Sequence, residues 1–290
     1  GLGAAEQPRP VEGGVYTEAL VGNLQRLNPL LDSNNSVDRD VDRLIFSGIV
    51  KFDSDGIPEP DLAESVTASQ DGKLYNIVLK PDLVWHDGQP LTSADILFTI
   101  ELLRKGGEFV AADIQGLWES VEVKVFDDQN LQLVLPEAYA PFMDYLTFGI
   151  LPKHVFNNMT LDQIASSSIN LQPVGSGPYQ FSELSMEGSE IKGITLTAFK
   201  DYAGSKPFLQ KIVFRYYPDD QSAFQAYLDG YVQGISEIST EQLTTALANP
   251  DLAVYSSRLP RISLVMFNLN DQSATFLQDA SIRKALLMGI

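Results

Sequence analysis

The chain of 290 residues sets 38 acidic side chains against 20 basic ones, a formal net charge of −18. That balance excludes a binder that neutralises nucleic-acid phosphates and a basic face for an anionic membrane, although it names no substrate, since acidity mainly confers solubility. The lack of any cysteine excludes disulfides, thiolate metal sites and thiol nucleophiles, and 44 % hydrophobic residues suffice for one large domain or two modest ones.

No apolar run reaches membrane-spanning length. Residues 1–12 (GLGAAEQPRPVE) read as a flexible spacer of the kind left after a signal peptide is removed. Residues 15–20 alternate as a strand, and Asp32-Ser33-Asn34-Asn35-Ser36 is a polar turn cluster. Residues 37–49 read as a helix with Val41, Leu44, Ile45 and Gly48 on one face. Residues 51–60 form a hairpin around Asp55-Gly56, and strands at 63–69 and 74–79 are joined by Asp71-Gly72. Asp87-Gly88 makes a tight turn, after which Thr92 and Asp95 form a capping box for a helix carrying Ile96, Leu97, Ile100 and Leu103.

Strands at 121–126 and 131–135 make a second hairpin, and short helices are expected at 140–148, 152–156 and 161–165. Residues 166–173 read as a junction ahead of the rigid PVGSGPY segment. Strands follow at 179–184, 191–199 and 211–217, then a helix capped by Asp220 and ended at Gly230. A strand at 232–238, a helix at 240–248 and strands at 252–256 and 262–269 come next. A last helix starting at Asp279 or Ser281 is still running at Ile290, so the chain reads as cut inside an apolar helix.

Two histidines, His86 and His154, lack the spacing of a metal pair and read as turn or packing residues. Asp38, Asp40 and Asp42 alternate like a calcium loop, but Arg43 and Ile49 stand where Gly and Glu are needed, which leaves an exposed, acid-rich helix start. Neither a Gly-x-Ser-x-Gly elbow nor a phosphate loop occurs, and nothing selects a pair among the 38 acids. No catalytic residue, metal site or cofactor is therefore assigned.

The wording of several segments is more specific than their periodicity. Trp85-His86-Asp87-Gly88 followed by Pro90-Leu91-Thr92-Ser93-Ala94-Asp95 resembles the signature of the family 5 extracellular solute-binding proteins, components of bacterial ABC importers. Gly13-Gly14-Val15-Tyr16 with Leu27-Asn28-Pro29-Leu30 resembles the family's first strand and following loop. Pro60-Asp61-Leu62-Ala63-Glu64-Ser65, Leu151-Pro152-Lys153-His154, Val174-Gly175-Ser176-Gly177-Pro178-Tyr179, Phe267-Asn268 and Ile282-Arg283-Lys284-Ala285-Leu286 continue the likeness in order. Gly230-Tyr231-Val232-Gln233 departs from the family's Gly-x-x-Asp.

This resemblance implies an α/β fold, a periplasmic-binding-protein-like (type II, cluster C) first lobe with an inserted α+β subdomain and mixed sheets. The core lobe would take residues 13–49 and 166–260, the insertion 50–165, and residues 261–290 a hinge strand and the first helix of a second lobe. It also implies non-catalytic capture of a small molecule by lobe closure, with peptides the leading ligand and oligosaccharides or metal chelates open. The partner would be an ABC permease, the state a monomer, and the place extracytoplasmic, either periplasmic or lipid-anchored. Ser33, Asn34 and Asn35 would line the first-lobe side of the cleft, with Asn268 as a second candidate; a surface turn explains the same loop residues equally well. With half a cleft the chain alone would bind weakly. A cell-surface acid hydrolase and a non-catalytic docking module are the rival readings.

Overall fold

The computed structural model of the chain describes residues 11–250, 252–255 and 266–289. It opens with β1 (Val15–Val21), and after a long loop comes α1 (Ser36–Ile45). α1 begins where Asn35 is extended and its side-chain oxygen accepts the Val37 N–H at 3.1 Å, satisfying a donor that the first helical turn leaves open. The helix stops at Ile45, short of the expected end at residue 49, because Phe46 turns extended and another segment occupies the helix end. Gly177 donates its N–H to the Ile45 carbonyl at 2.7 Å. A Cβ on Gly175 would lie 2.0 Å from that carbonyl oxygen, so the approach needs glycine.

β2 (Val50–Phe52) and β3 (Pro58–Pro60) form the first hairpin, and β4 (Ala63–Ala68) pairs with β5 (Leu74–Leu79). α2 (Ser93–Lys105) carries the expected capping box: Thr92 N–H donates to Asp95 Oδ2 at 2.9 Å, and Thr92 Oγ1 accepts from the helix. α3 (Ala112–Ser120) follows without any sequence forewarning. Ala111 offers it no side-chain cap and Gly116 weakens it internally; it is held by Trp118, which is fully buried against the rings of Phe142 and Phe148. β6 (Glu122–Val125) and β7 (Asn130–Val134) make the second hairpin, and Ala140–Leu146 is a 3-10 helix.

Two short helices, α4 (Lys153–Phe156) and α5 (Leu161–Ala165), lead to β8 (Tyr179–Glu187), β9 (Glu190–Ala198) and β10 (Lys211–Tyr217). α6 (Asp220–Leu228) is capped by Asp219 rather than Asp220, since only the Asp219 carboxylate reaches the Ser222 N–H. The strand expected at 232–238 contracts to β11 (Gly234–Ile235). α7 (Thr240–Ala248) and α8 (Ala280–Leu287), capped by Asp279, complete the elements. Residues 252–255 and 266–269 hold no strand; the rest of the strands expected at 252–256 and 262–269 lies outside the described residues.

The strands sort into a mixed five-stranded sheet, order β11-β1-β10-β9-β8, an antiparallel four-stranded sheet, order β4-β5-β7-β6, and the separate β2-β3 pair. In the first, β1 lies parallel to β10 and to β11, while β9 runs antiparallel to β10 and β8. Adjacent residues of β1 point to opposite faces. Leu20 joins the main core with Val41 and Ile45 of α1, whereas Ala19 packs with Ala223 and Ala226 of α6. The sheet is thus covered on both sides. The main core runs unbroken from Ile194 and Leu196 of β9 to Ile77 and Leu79 of β5. The chain divides between Leu243 and Thr244 into two compact units. Among the described residues no helix is long and apolar enough to cross a membrane.

Candidate functional site

The loop between β1 and α1 has few backbone partners of its own and is fastened from α1 by carboxylates. Asp38 accepts the N–H groups of Gln25 at 2.9 Å and Arg26 at 3.1 Å. Asp42, one turn on, accepts the Asn28 N–H at 3.0 Å through Oδ2. Asn28 in turn accepts from Leu30 N–H and donates to Asn170 Oδ1 at 3.2 Å, and the Asn170 carbonyl accepts from Leu27 N–H. Asp38 and Asp42 are 1 % and 2 % exposed, so these bonds replace water that the backbone would otherwise keep.

The expectation of an exposed, acid-rich helix start is therefore corrected. Asp40 alone of the three faces solvent. A signal for this was present: positions 38 and 42 share the helix face of the buried Val41 and Ile45, where a carboxylate needs a partner. Burial is the main cause that raises the carboxyls of Asp38, Asp42 and Asp32 above their ordinary range. Asp42 is raised well above it, with the nearby Asp32 and Asp38 adding to the effect. Asp32 reaches about 6 against the opposing pull of Arg39 and Arg43.

Fastened in this way, the loop presents Ser33 and Asn34 to solvent at its tip. Asn35, half-buried, is spent on structure: it caps α1 and donates through Nδ2 to the Asn23 carbonyl at 3.1 Å. Arg39 Nη1 donates to the Ser33 carbonyl at 3.2 Å and leaves the Ser33 hydroxyl unused by that contact. Asn268 belongs to the other compact unit, exposed, with its side-chain oxygen accepting the Asn270 N–H at 3.1 Å.

Beside the loop opens a cleft of about 660 Å³ that also reaches Phe46–Phe52, Asp61 and Tyr202. The Tyr202 hydroxyl donates to Asp61 Oδ1 at 3.1 Å and has the Ser47 hydroxyl as a second neighbour. Neither cleft nor loop contains a histidine; both histidines are fixed elsewhere. His86 donates from Nε2 to the Gly177 carbonyl and accepts the Gly175 N–H at Nδ1, so it clamps the glycine segment onto α1. Burial lowers it to about 4 and keeps it neutral. His154 Nε2 contacts Asp87 Oδ2 at 2.7 Å. Among the described residues no group of three or more His, Asp or Glu side chains could hold a metal ion.

A model of the bacterial extracellular solute-binding proteins, family 5 (middle), matches residues 58–290. The chain is 26 % identical over 282 residues to the oligopeptide-binding protein AppA of Bacillus subtilis, covering 96 % of this chain and 50 % of that protein. It is 27 % identical over 288 residues to the nickel-binding periplasmic protein of Escherichia coli, covering 93 % and 50 %. The crystal structure of the ABC transporter substrate-binding protein CtaP from Listeria monocytogenes superimposes with a TM-score of 0.71 at 28 % identity, covering 84 % of this chain and 48 % of that one. The chain thus spans about half the length of the relatives it matches. Its fold is that of the family 5 binding proteins, and the chain belongs to the bacterial extracellular solute-binding proteins of family 5.

Proposed function

We propose that this chain captures solutes outside the cytoplasm for an ABC permease, without catalysis, and that short peptides are its ligands. The observation that carries the reading is the β1–α1 loop: it is held by buried carboxylates, its residues Pro29 and Asp32 line a cleft, and its exposed polar tip is Ser33–Asn34. A preformed edge of this kind loses little entropy on binding and presents directed polar groups to a ligand backbone. In this reading residues 13–49 and 166–260 form the first lobe, 50–165 an insertion, and residues 261–290 lead to a second lobe, with Asn268 as a contact from that side. Peptides suit such an edge because their main chain repeats donors and acceptors along an extended strand.

The protein would work as a monomer, in the periplasm or anchored by lipid to the outer face of the membrane. Its test is a ligand-dependent melting shift with pools of short peptides, of oligosaccharides and of nickel–histidine chelates. The midpoint should rise with peptides alone, and the recovered peptides should be intact. A rise only with sugars or with the chelate would overturn the peptide assignment, and cleaved peptides would overturn the non-catalytic one.

A further inference from the structure

Asn28 and Asn170, 142 residues apart in the chain, meet inside the molecule at 0 % and 2 % exposure. Their amides can face only one way. The Leu30 N–H takes Asn28 Oδ1 as its acceptor at 3.1 Å, which turns Asn28 Nδ2 toward Asn170 Oδ1 at 3.2 Å. Asn170 is left with Nδ2 toward the Ile164 carbonyl, to which it donates at 2.6 Å. The bonds therefore run in one direction, from the Leu30 N–H through two side-chain amides to α5. No water competes at a buried site, so reversing either amide would set donor against donor and acceptor against acceptor.

This bridge joins the solvent-facing tip to a remote part of the chain. On the near side lie two consecutive turns. The Asn28 carbonyl accepts the Leu31 N–H at 2.9 Å, and the Asp32 carbonyl accepts the Asn35 N–H at 3.0 Å; the second turn carries Ser33 and Asn34. On the far side lie α5 and the 3-10 helix Ser168–Leu171, which carries Asn170. The backbone repeats the link, since the Leu27 N–H donates to the Asn170 carbonyl at 2.8 Å. Pro29, the next residue, packs on Gly149, where an added Cβ would lie 2.8 Å from the Pro29 Cβ. Asp38 and Asp42 thus fasten the loop from α1, while residues 149–170 brace it independently.

We propose that Asn170 is a positioning residue for solute capture: through Asn28 it sets where the Ser33–Asn34 edge stands, without touching the ligand. The inference rests on the solute-capture reading, in which that edge meets the ligand. Directed polar contacts tolerate displacements of only about 0.5 Å, so a loosened brace lowers affinity even where the fold survives.

The test uses the 290-residue chain, its variants Asn170→Ala and Asn28→Ser, the two combined, and Thr92→Ala as a control. Asn28→Ser keeps an oxygen near the Leu30 N–H but is too short to reach Asn170, so it cuts the bridge with the least disturbance. Thr92 caps α2 and bonds with Ala94 and Asp95, not with either asparagine. Each protein is dialysed against a mixture of random-sequence tri- to pentapeptides at a temperature where near-ultraviolet circular dichroism shows it folded, and retained peptide is measured by mass spectrometry. Both single variants should bind about tenfold more weakly, the scale of one lost hydrogen bond. The double variant should bind no more weakly than either, because both changes cut one bridge. Thr92→Ala should melt lower yet retain peptide as the parent does. Amide exchange separates placement from stability: Leu31 and Asn35 should exchange faster in the single variants while amides of α1 and β10 keep the parental rate. If Asn170→Ala does not fold, Asn28→Ser decides alone. Parental retention in the single variants, additive losses in the double one, or exchange that quickens throughout the chain would overturn the role of Asn170 and leave peptide capture standing. No retention by the parent would overturn the peptide reading and this inference with it.

Discussion

Three carboxylates of the β1–α1 region do different work because their surroundings differ. Asp38 receives two backbone N–H groups, those of Gln25 and Arg26. Asp38→Ala leaves both part-buried donors without their carboxylate and should cost about 2 kcal/mol, read as a shift in the urea midpoint; a loss below about 0.5 kcal/mol would refute the fastening role. Asp42→Asn keeps the shape and an acceptor for Asn28 N–H, and replaces a carboxyl already driven toward neutrality, so it should change stability by less than about 1 kcal/mol. Asp32 is the titrating member. Folding raises it from 3.8 to about 6, chiefly through burial, so between those values the native state keeps a proton that the unfolded chain has released, and stability falls as pH rises through that window. His86 acts oppositely: lowered from 6.5 to about 4, it costs stability as pH falls through its own window. Asp32→Asn removes the first effect alone. The variant should melt above the parent at neutral pH, and the gain should vanish near pH 4. An equal difference at both pH values would contradict this assignment.

At the scale of elements, one helix start organises its neighbours. Asp95 accepts the Thr92 N–H through Oδ2 and the Lys153 N–H at 2.9 Å through Oδ1, so a single carboxylate caps α2 and docks the start of α4. Thr99, a turn along, donates to the Asp95 carbonyl and accepts the Leu151 N–H at 3.0 Å. Thr92→Ala removes only a cap and should cost about 1 kcal/mol. Asp95→Ala leaves two donors unanswered and should cost roughly twice to three times as much, with faster amide exchange at Lys153 as the second readout. Equal costs for the two would remove Asp95 from its docking role. The cap was legible in the sequence because Thr92 and Asp95 are three residues apart, as were the strands whose turns carry Asp-Gly. The partnership of Asp95 with residue 153 was not, since it joins segments through tertiary packing. α3 escaped for the same reason: its warrant is the burial of Trp118 rather than a local signal. At the candidate site the exposed pair Ser33 and Asn34 was legible as a polar turn, while Asn35 proved to be a cap and the anchoring carboxylates passed for solvated charge.

In the larger compact unit the two larger sheets should behave as one body. They differ in kind, one mixed and one wholly antiparallel, and each has its own hairpins. What joins them is apolar: the same unbroken cluster contains Ile77 and Leu79 of β5, Ile96 and Ile100 of α2, Ile45 of α1, and Ile194 and Leu196 of β9. The polar clamps cross the same ground. His86 holds the glycine segment ahead of β8, and that segment sits on the end of α1. Opening either sheet alone would expose part of this shared core to water, at roughly 25 cal/mol for each Å² of apolar surface, and would break the His86 clamp as well. Cooperative opening is the expected result. Native-state hydrogen exchange measured against denaturant should give amides of β5 and β9 the same opening free energy and the same denaturant slope. If β5 exchanged through a separate, shallower opening while β9 remained protected, the shared core would be only a contact between two independent bodies, and the carboxylate-fastened loop would then be a property of the mixed sheet alone.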